Sequence, residues 1–450
     1  MGRRFNSVAQ RWEYVQSYQW SDQGKAWLEV MRADQDGAAL LTSAFDHEAD
    51  TYLGKGTVLQ RDISQMPVHP ESEAMADWMW DYTPFTASGA WGAKTSANTS
   101  CYGTQPVHMY VIDSTHPDCE FVTFGDKSTS IATPNVEINT YMRGQIPKYE
   151  WMVPAQNGDR GMAIYDTGTG IMREWFMCMP QPDGTWGGGG GYSIGNPGLR
   201  DLAVTNYGLQ QRRGIATVSG MHNSLGFVGI AEAMNKKIEH ALCVTVGAAA
   251  THTRFTESGA QFGGVSWPSR GADGKAEVYA PGGGRYDPNN TSHLHNGVPP
   301  TPTHGQWGRL KADVDPMHNP RTGKAYRPFT RVLIEAAKTY GIVLTDTNLW
   351  CNAINTEQGR TFAYLYGEDP WMPDAWAKTG KGLINGIYTD PADPSGPSTG
   401  IGPDDFPWDR TEWSLIDWGR PSPDWNLRPG QPVPWWHPSD PVNPLNTMPK

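Results

Sequence analysis

The sequence is poor in the residues that most readily announce a chemistry. Cysteine occurs five times in 450 residues, at 101, 119, 178, 243 and 351, and never as a CxxC pair. An odd number at wide spacing fits neither a zinc ribbon nor a disulfide framework. Free, mostly buried thiols are expected, with a Cys101–Cys119 bridge as the alternative. Positive charge is also scarce: 36 Lys and Arg stand against 47 Asp and Glu, for a net charge of −11. No basic stripe breaks this balance, so the electrostatic footprint of a nucleic-acid binder is missing and no nucleic-acid partner is expected. No apolar run reaches the roughly 18 to 20 residues a bilayer requires, so no membrane span is expected. The opening "MGRRFNSVAQRWEYVQSYQW" has arginines but no apolar stretch behind them, and it does not read as a secretory leader. Asn6 stands where a myristoylation signal carries Ser or Thr. GxSxG, HExxH and Cys/His metal patterns are absent as well, so no cofactor is expected.

What is plentiful is glycine (51), proline (36) and tryptophan (20). That mixture favours turns and short strands over long helices. Tryptophan also suits surfaces that meet sugars or protein partners. Strand signals dominate from about residue 104: "QPVHMYVID", "CEFVTFGD", "GMAIYD", "IMREWFMCM" and "TWGGGGGYSI". The last three are separated by "TGTG" and "QPDG", which are turn sequences, so 161–194 reads as a three-stranded meander. Further on, "IEHALCVTV" reads as a buried strand, "GGVSWPS" as an edge strand ended by proline, and "QWGRLKADVD", "IVLTD" and "LWCNAIN" as strands. Helical spacing is expected over 71–80, with Pro70 ahead of it, and briefly in "FVGIAEAMNKK". The clearest helix is at about 328–340, with Pro328 at its start, Val332, Leu333, Ala336 and Ala337 on one face, and Gly341 beyond its end. A loop over 271–305 is longer than compact domains usually carry.

The five glycines Gly187–Gly191 raise a separate question. A phosphate loop would need a following Lys-Ser/Thr and a helix, but "YSIGNPG" follows. Strand-like residues on both sides argue against a linker. Two readings remain: a bulged strand covered by Trp175 or Trp186, or the floor of a ligand groove.

Candidate chemistry is thin. Asp166 and Glu174 could face one groove across the meander as a carboxylate pair, or be surface charges beside a turn. His222, in "SGMHNS", is the candidate general base. His240 reads as a histidine hydrogen-bonded at a core edge. His293, His295 and His304 are candidates for a metal, as are Asp313, Asp315 and His318 in "DVDPMHNP", although loop histidines more often bind nothing.

Several separated motifs carry a resemblance. "YGTQPVHMYVIDSTHPDC", "GDRGMAIYDTGTGIMREWF" and "WPSRGADG…GRLKADVD…FTRVLIEAAKTYGIVLTDTN" together resemble minor tail proteins of long-tailed phages infecting Actinobacteria, the mycobacteriophages among them. The similarity runs from about residue 66 to 360. The order of His240-Ala241-Leu242, Trp267-Pro268-Ser269, Leu310-Lys311-Ala312 and Tyr340 to Asp346 also resembles a module of secreted bacterial proteins. The resemblance implies a virion component made without a signal peptide, a mainly β protein with a β-sandwich or jelly-roll-like core, and no assigned catalytic set.

The expected organisation is an N-terminal attachment segment (1–65), a β-sandwich domain (66–385) and a Pro/Trp-rich extended tail (386–450). The tail's Trp408, Trp413, Trp418, Trp425, Trp435 and Trp436 would dock on this chain or a neighbour. Trp186, Tyr192 and Trp267 are candidates for a sugar-stacking surface. The expected partners are other tail proteins, further copies of this chain and host cell-wall polysaccharide. The competing readings are a glycan lyase or hydrolase drawing on His222, Arg173, Tyr192 or the carboxylate pair, and a scaffold without glycan affinity.

Overall fold

The computed structural model describes residues 58–81, 107–125, 144–149, 160–194, 217–246, 266–269, 301–347, 352–359 and 405–415, with a few short strands and single residues elsewhere. The described chain is mainly β, with two mixed six-stranded sheets and few helices.

Two small ribbons come first: β1 (Gly2–Asn6) with β2 (Arg11–Val15), and β3 (Phe45–Asp46) with β4 (Thr51–Tyr52). Helix α1 spans Ser72–Asp81 and β5 spans Ala97–Thr99. The first large sheet contains β6 (Val107–Ile112), β7 (Glu120–Gly125), β8 (Gly144–Lys148), β9 (Gly161–Asp166), β10 (Ile171–Pro180) and β11 (Trp186–Ile194). Its order is β6-β9-β10-β11-β7-β8. The expected meander is β9-β10-β11, antiparallel throughout. After it come α2 (Ile230–Asn235), β12 (Leu242–Val246), β13 (Trp307–Leu310), α3 (Pro328–Thr339), β14 (Ile342–Thr347), β15 (Asn352–Ile354) and β16 (Thr411–Trp413). The second sheet has the order β16-β13-β14-β12-β15-β5.

Four pairings are parallel: β6 with β9, β7 with β11, β12 with β14 and β5 with β15. Jelly rolls pair antiparallel, so this connectivity departs from the jelly-roll expectation. The expected edge strand "GGVSWPS" also differs. Its described part, residues 266–269, is a buried turn closed by Ser269 N–H donating to Ser266 O at 2.8 Å.

The first sheet curls. Flat, its outermost strands β6 and β8 would stand five strand spacings, about 24 Å, apart. Yet Tyr149, just after β8, donates its hydroxyl to the carbonyl of Asp113, just after β6, at 2.8 Å. All six strands accordingly feed one apolar cluster, through Tyr110, Phe124, Ile146, Ile164, Trp175 and Trp186. The opposite faces of β6, β9 and β10 supply Met109, Tyr165 and Met172 to a second, larger cluster. That cluster also takes Leu242 and Val244 from β12, Ile342 and Leu344 from β14, and Phe329 and Leu333 from α3. β12 is buried along its whole length, as a near-continuous apolar run in a parallel pair should be.

Helix α3 follows its expected signals. Pro328 opens it, where a missing N–H costs nothing, and Gly341 follows its end at φ 82°. A Cβ on Gly341 would lie 2.4 Å from the Gly308 carbonyl oxygen, so the passage into β14 requires glycine. Described residues on either side of 66–385 join the same core. Leu59 and Ile63 on one side, and Phe406, Trp408 and Trp413 on the other, lie in the larger core, and β16 pairs with β13.

Candidate functional site

The register of the meander decides what the proposed carboxylate pair can do. Ile171 pairs with Asp166, Arg173 with Ile164 and Trp175 with Met162. Paired residues share a face, and faces alternate along a strand. Asp166 therefore lies on the face of Arg173 and Trp175, and Glu174 on the opposite face with Met172 and Tyr165. The two carboxylates cannot flank one substrate. Nor are they surface charges, since both are buried.

Each carboxylate has a structural task. Asp166 accepts hydrogen bonds from the Ser114 N–H (3.0 Å) and hydroxyl (2.8 Å), the Gly168 N–H (3.1 Å) and the Thr169 hydroxyl (2.5 Å). It ties the β9–β10 turn to the chain leaving β6. Glu174 accepts the backbone N–H groups of Asn223 and Ser224, each at 3.0 Å, and the Ser224 hydroxyl. These donors come from a 3-10 turn, Asn223–Leu225, so Glu174 pins that turn to the sheet.

His222 is fully buried, with Nδ1 3.8 Å from Glu174 Oε2. The candidate base and one candidate acid thus do meet, but inside the core. Beyond them, Asn355 donates its amide to Asn223 Oδ1 (2.7 Å) and accepts the Thr245 hydroxyl (2.8 Å). This buried polar chain links the first sheet to β12 of the second. Buried networks of this kind specify packing when every member is satisfied. Sequence reading missed Asn355 and Thr245, because nothing local joins positions more than a hundred residues apart.

The aromatic candidates are also interior. Trp186 is 7% exposed and Trp267 3%. Trp267 shares the Arg61 guanidinium with Trp307 and Trp418, at 5.7, 5.6 and 4.5 Å from the ring centroids. Burial lowers the Arg61 pKa to about 10. The stacking surface expected of these residues is therefore an internal cation cage at Trp267 and a wall of the curled sheet's core at Trp186. Tyr192 enters through its backbone, which pairs with Arg173. Trp408 and Trp413 are fully buried, and Trp418 packs against the core partly buried. Trp425, Trp435, Trp436, His293 and His295 lie outside the described residues.

The glycine run answers to β10. The β10–β11 register shifts between Phe176 and Met179, with Met177 at φ 53°, which is a bulge. A Cβ on Gly188 would sit 2.7 Å from the Phe176 carbonyl oxygen and 3.2 Å from that of Met177. Gly187 to Gly190 are buried. The strand is covered and accommodates the bulge.

His240 sits at a core edge as expected, between the Ala241 carbonyl (Nδ1, 2.8 Å) and Glu232 Oε2 (Nε2, 3.0 Å). A carbonyl only accepts, so Nδ1 carries the hydrogen, and Nε2 and Glu232 share a proton between them. Burial pushes Glu232 upward, against the pull of His240. His304 is buried as well. The "DVDPMH" patch serves turns: Asp313 takes both bonds of Arg410 Nη2 at 2.8 Å, and Asp315 accepts the Met317 N–H. Among the described residues, no three His, Cys, Asp or Glu side chains converge as a metal's ligands would. Cys119, Cys178 and Cys243 are free thiols, and Cys101 and Cys351 lie outside the described residues. No described helix is long and apolar enough to cross a membrane.

Compared with protein-family models, with curated proteins and with solved structures, the chain gives no match.

Proposed function

We propose that this chain is a structural minor tail protein of a long-tailed phage, at or near the tail tip. In this reading the two sheets form a sandwich-like module that packs on other tail proteins and on further copies of itself, and that touches host envelope glycans. One observation carries the proposal. The motifs behind the tail-protein resemblance build a shared core instead of ringing an open site. Val107–Ile112 is β6, Gly161–Asp166 is β9, Leu310 ends β13, Tyr340 to Asp346 runs into β14, and Trp267 caps the Arg61 cage. Residues kept for chemistry would be expected to reach a surface. Of the residues an enzyme reading would use, His222, Glu174, Asp166 and Arg173 are buried, and Asp166 faces away from Glu174.

The test mixes the purified protein with cell-wall polysaccharide from an actinobacterial host. Retention on the polysaccharide without release of reducing or unsaturated sugar ends is the expected result. Sugar release would overturn it in favour of a lyase or hydrolase. Lack of retention would leave a scaffold whose contacts are all with other tail proteins.

A further inference from the structure

We infer that a cleft beside α3 binds a small organic anion, a carboxylate or phosphate monoester carrying an apolar body. This goes beyond the tail-protein reading and does not depend on it. The cleft has a volume of about 410 Å³, within the usual range for small-molecule sites. Its walls are the turn after α2, the Pro316–Met317 segment, the first turns of α3, and Tyr388.

The charge on those walls is one-sided. Lys236, Lys237 and Arg331 line the cleft against a single carboxylate, Glu335, in a chain whose net charge is −11. Lys237 is engaged by Glu239 at 2.9 Å. The other two cations are not neutralised: among the described residues, neither closes an ion pair with a carboxylate. Arg331 Nη1 meets the Met317 thioether at 3.4 Å, a weak and neutral acceptor. Lys236 Nζ stands 5.6 Å from the centroid of the Tyr388 ring. Arg331 and Glu335 are four apart on α3, a spacing at which ion pairs commonly form, yet Arg331 turns to Met317 instead.

The rest of the lining is apolar, and part of it is open to water. Met317 is 60% exposed, the most exposed of the large hydrophobic side chains described. Val332 sits on the α3 face expected to be core but is only half-buried, because it borders the cleft. An anion placed between Lys236 and Arg331 would satisfy both cations, and Arg supplies a planar donor fork suited to carboxylate or phosphate. An apolar body would then cover Met317 and Val332. A compact inorganic anion would fill only part of the space and leave that surface wet.

Isothermal titration of the full chain with octanoate, octanamide and acetate tests this. Octanoate should bind about tenfold or more tighter than either of the others. Its affinity should fall as NaCl rises from about 0.05 to 0.5 M, as charges lose their reach. Replacing both cations (Lys236→Ala with Arg331→Ala) should cost octanoate about tenfold or more in affinity with an unchanged circular dichroism spectrum. Met317→Ser should weaken octanoate and leave acetate unaffected. The inference is overturned if octanoate does not bind, if octanamide or acetate binds as well as octanoate does, or if the double variant binds octanoate undiminished.

Discussion

Single residues in this protein show how burial assigns a polar group its work. Glu174, fully buried, has its carboxylate met by two backbone N–H groups and a hydroxyl. Removing it strands those donors, and each buried unsatisfied group costs about 1–3 kcal/mol. Glu174→Ala should therefore lower unfolding free energy by about 3–5 kcal/mol, read from urea titration, well beyond an exposed Glu73→Ala control. His108 lies fully buried in β6, edge-on to Tyr110 at 4.0 Å between ring centroids. Desolvation lowers its pKa to about 3, a contact with the Gln358 backbone pulling weakly the other way. The free imidazole value is about 6.5. Between the two values, the unfolded chain takes up a proton that the folded chain refuses. The contribution of His108 is therefore complete above about pH 6.5 and is lost as pH falls toward 3, at up to about 1.4 kcal/mol per pH unit. Unfolding free energies from urea titration at about pH 7 and pH 5 should diverge less in His108→Gln than in the parent chain, by up to about 2 kcal/mol. Equal divergence would mean that His108 takes up its proton over the same pH range in the folded and the unfolded chain.

At the scale of elements, the β10–β11 hairpin depends on one close approach. The bulge after Phe176 pushes two carbonyls toward β11, and Gly188 leaves them room. Backbone atoms cannot swing aside as a side-chain tip can. Gly188→Ala should cost about 2–3 kcal/mol and lower amide-exchange protection across 171–194, while β12 and β14 keep theirs. Gly184, in the adjoining turn, has nothing within 4 Å of its hypothetical Cβ. Alanine there meets only the φ 81° penalty, about 1 kcal/mol, and makes the comparison. The run of five glycines pointed to a strand stripped of side chains. Which glycine is indispensable depended on the partner strand, where no turn residue or period announces the bulge.

At the scale of the molecule, the two cores are joined through the shared strands β6, β9 and β10, and residues within 406–413 belong to the larger core. Phe406, Trp408 and Trp413 are fully buried there. Burying a large apolar side chain contributes about 2–3 kcal/mol, so these three represent about 6–9 kcal/mol, comparable with the whole stability of an ordinary domain. A chain ending at residue 402 should therefore lose near-UV circular dichroism and bind a hydrophobic dye, whereas one ending at residue 420 keeps the native spectrum. If the 402 form stays native, the C-terminal segment is an accessory and not part of the core.

The sequence by itself determined the local elements. Proline before α3, glycine after it, Pro-Asp-Gly between β10 and β11, and the apolar run of β12 act within a few residues, and the structure keeps each of them. It also determined that the chain is mainly β, because so many turns break so many short apolar runs. Only the tertiary structure decided which strands are neighbours, since pairing β6 with β9 or β5 with β15 joins segments far apart in the chain. That pairing set the face of every side chain. It separated Asp166 from Glu174, put His222, His304, Trp186, Trp267, Trp408 and Trp413 inside the core, and left Lys236 and Arg331, about a hundred residues apart in the chain, lining one cleft. Local signals report backbone preference, whereas a site is made by distant side chains that share a face, and register alone decides which ones do.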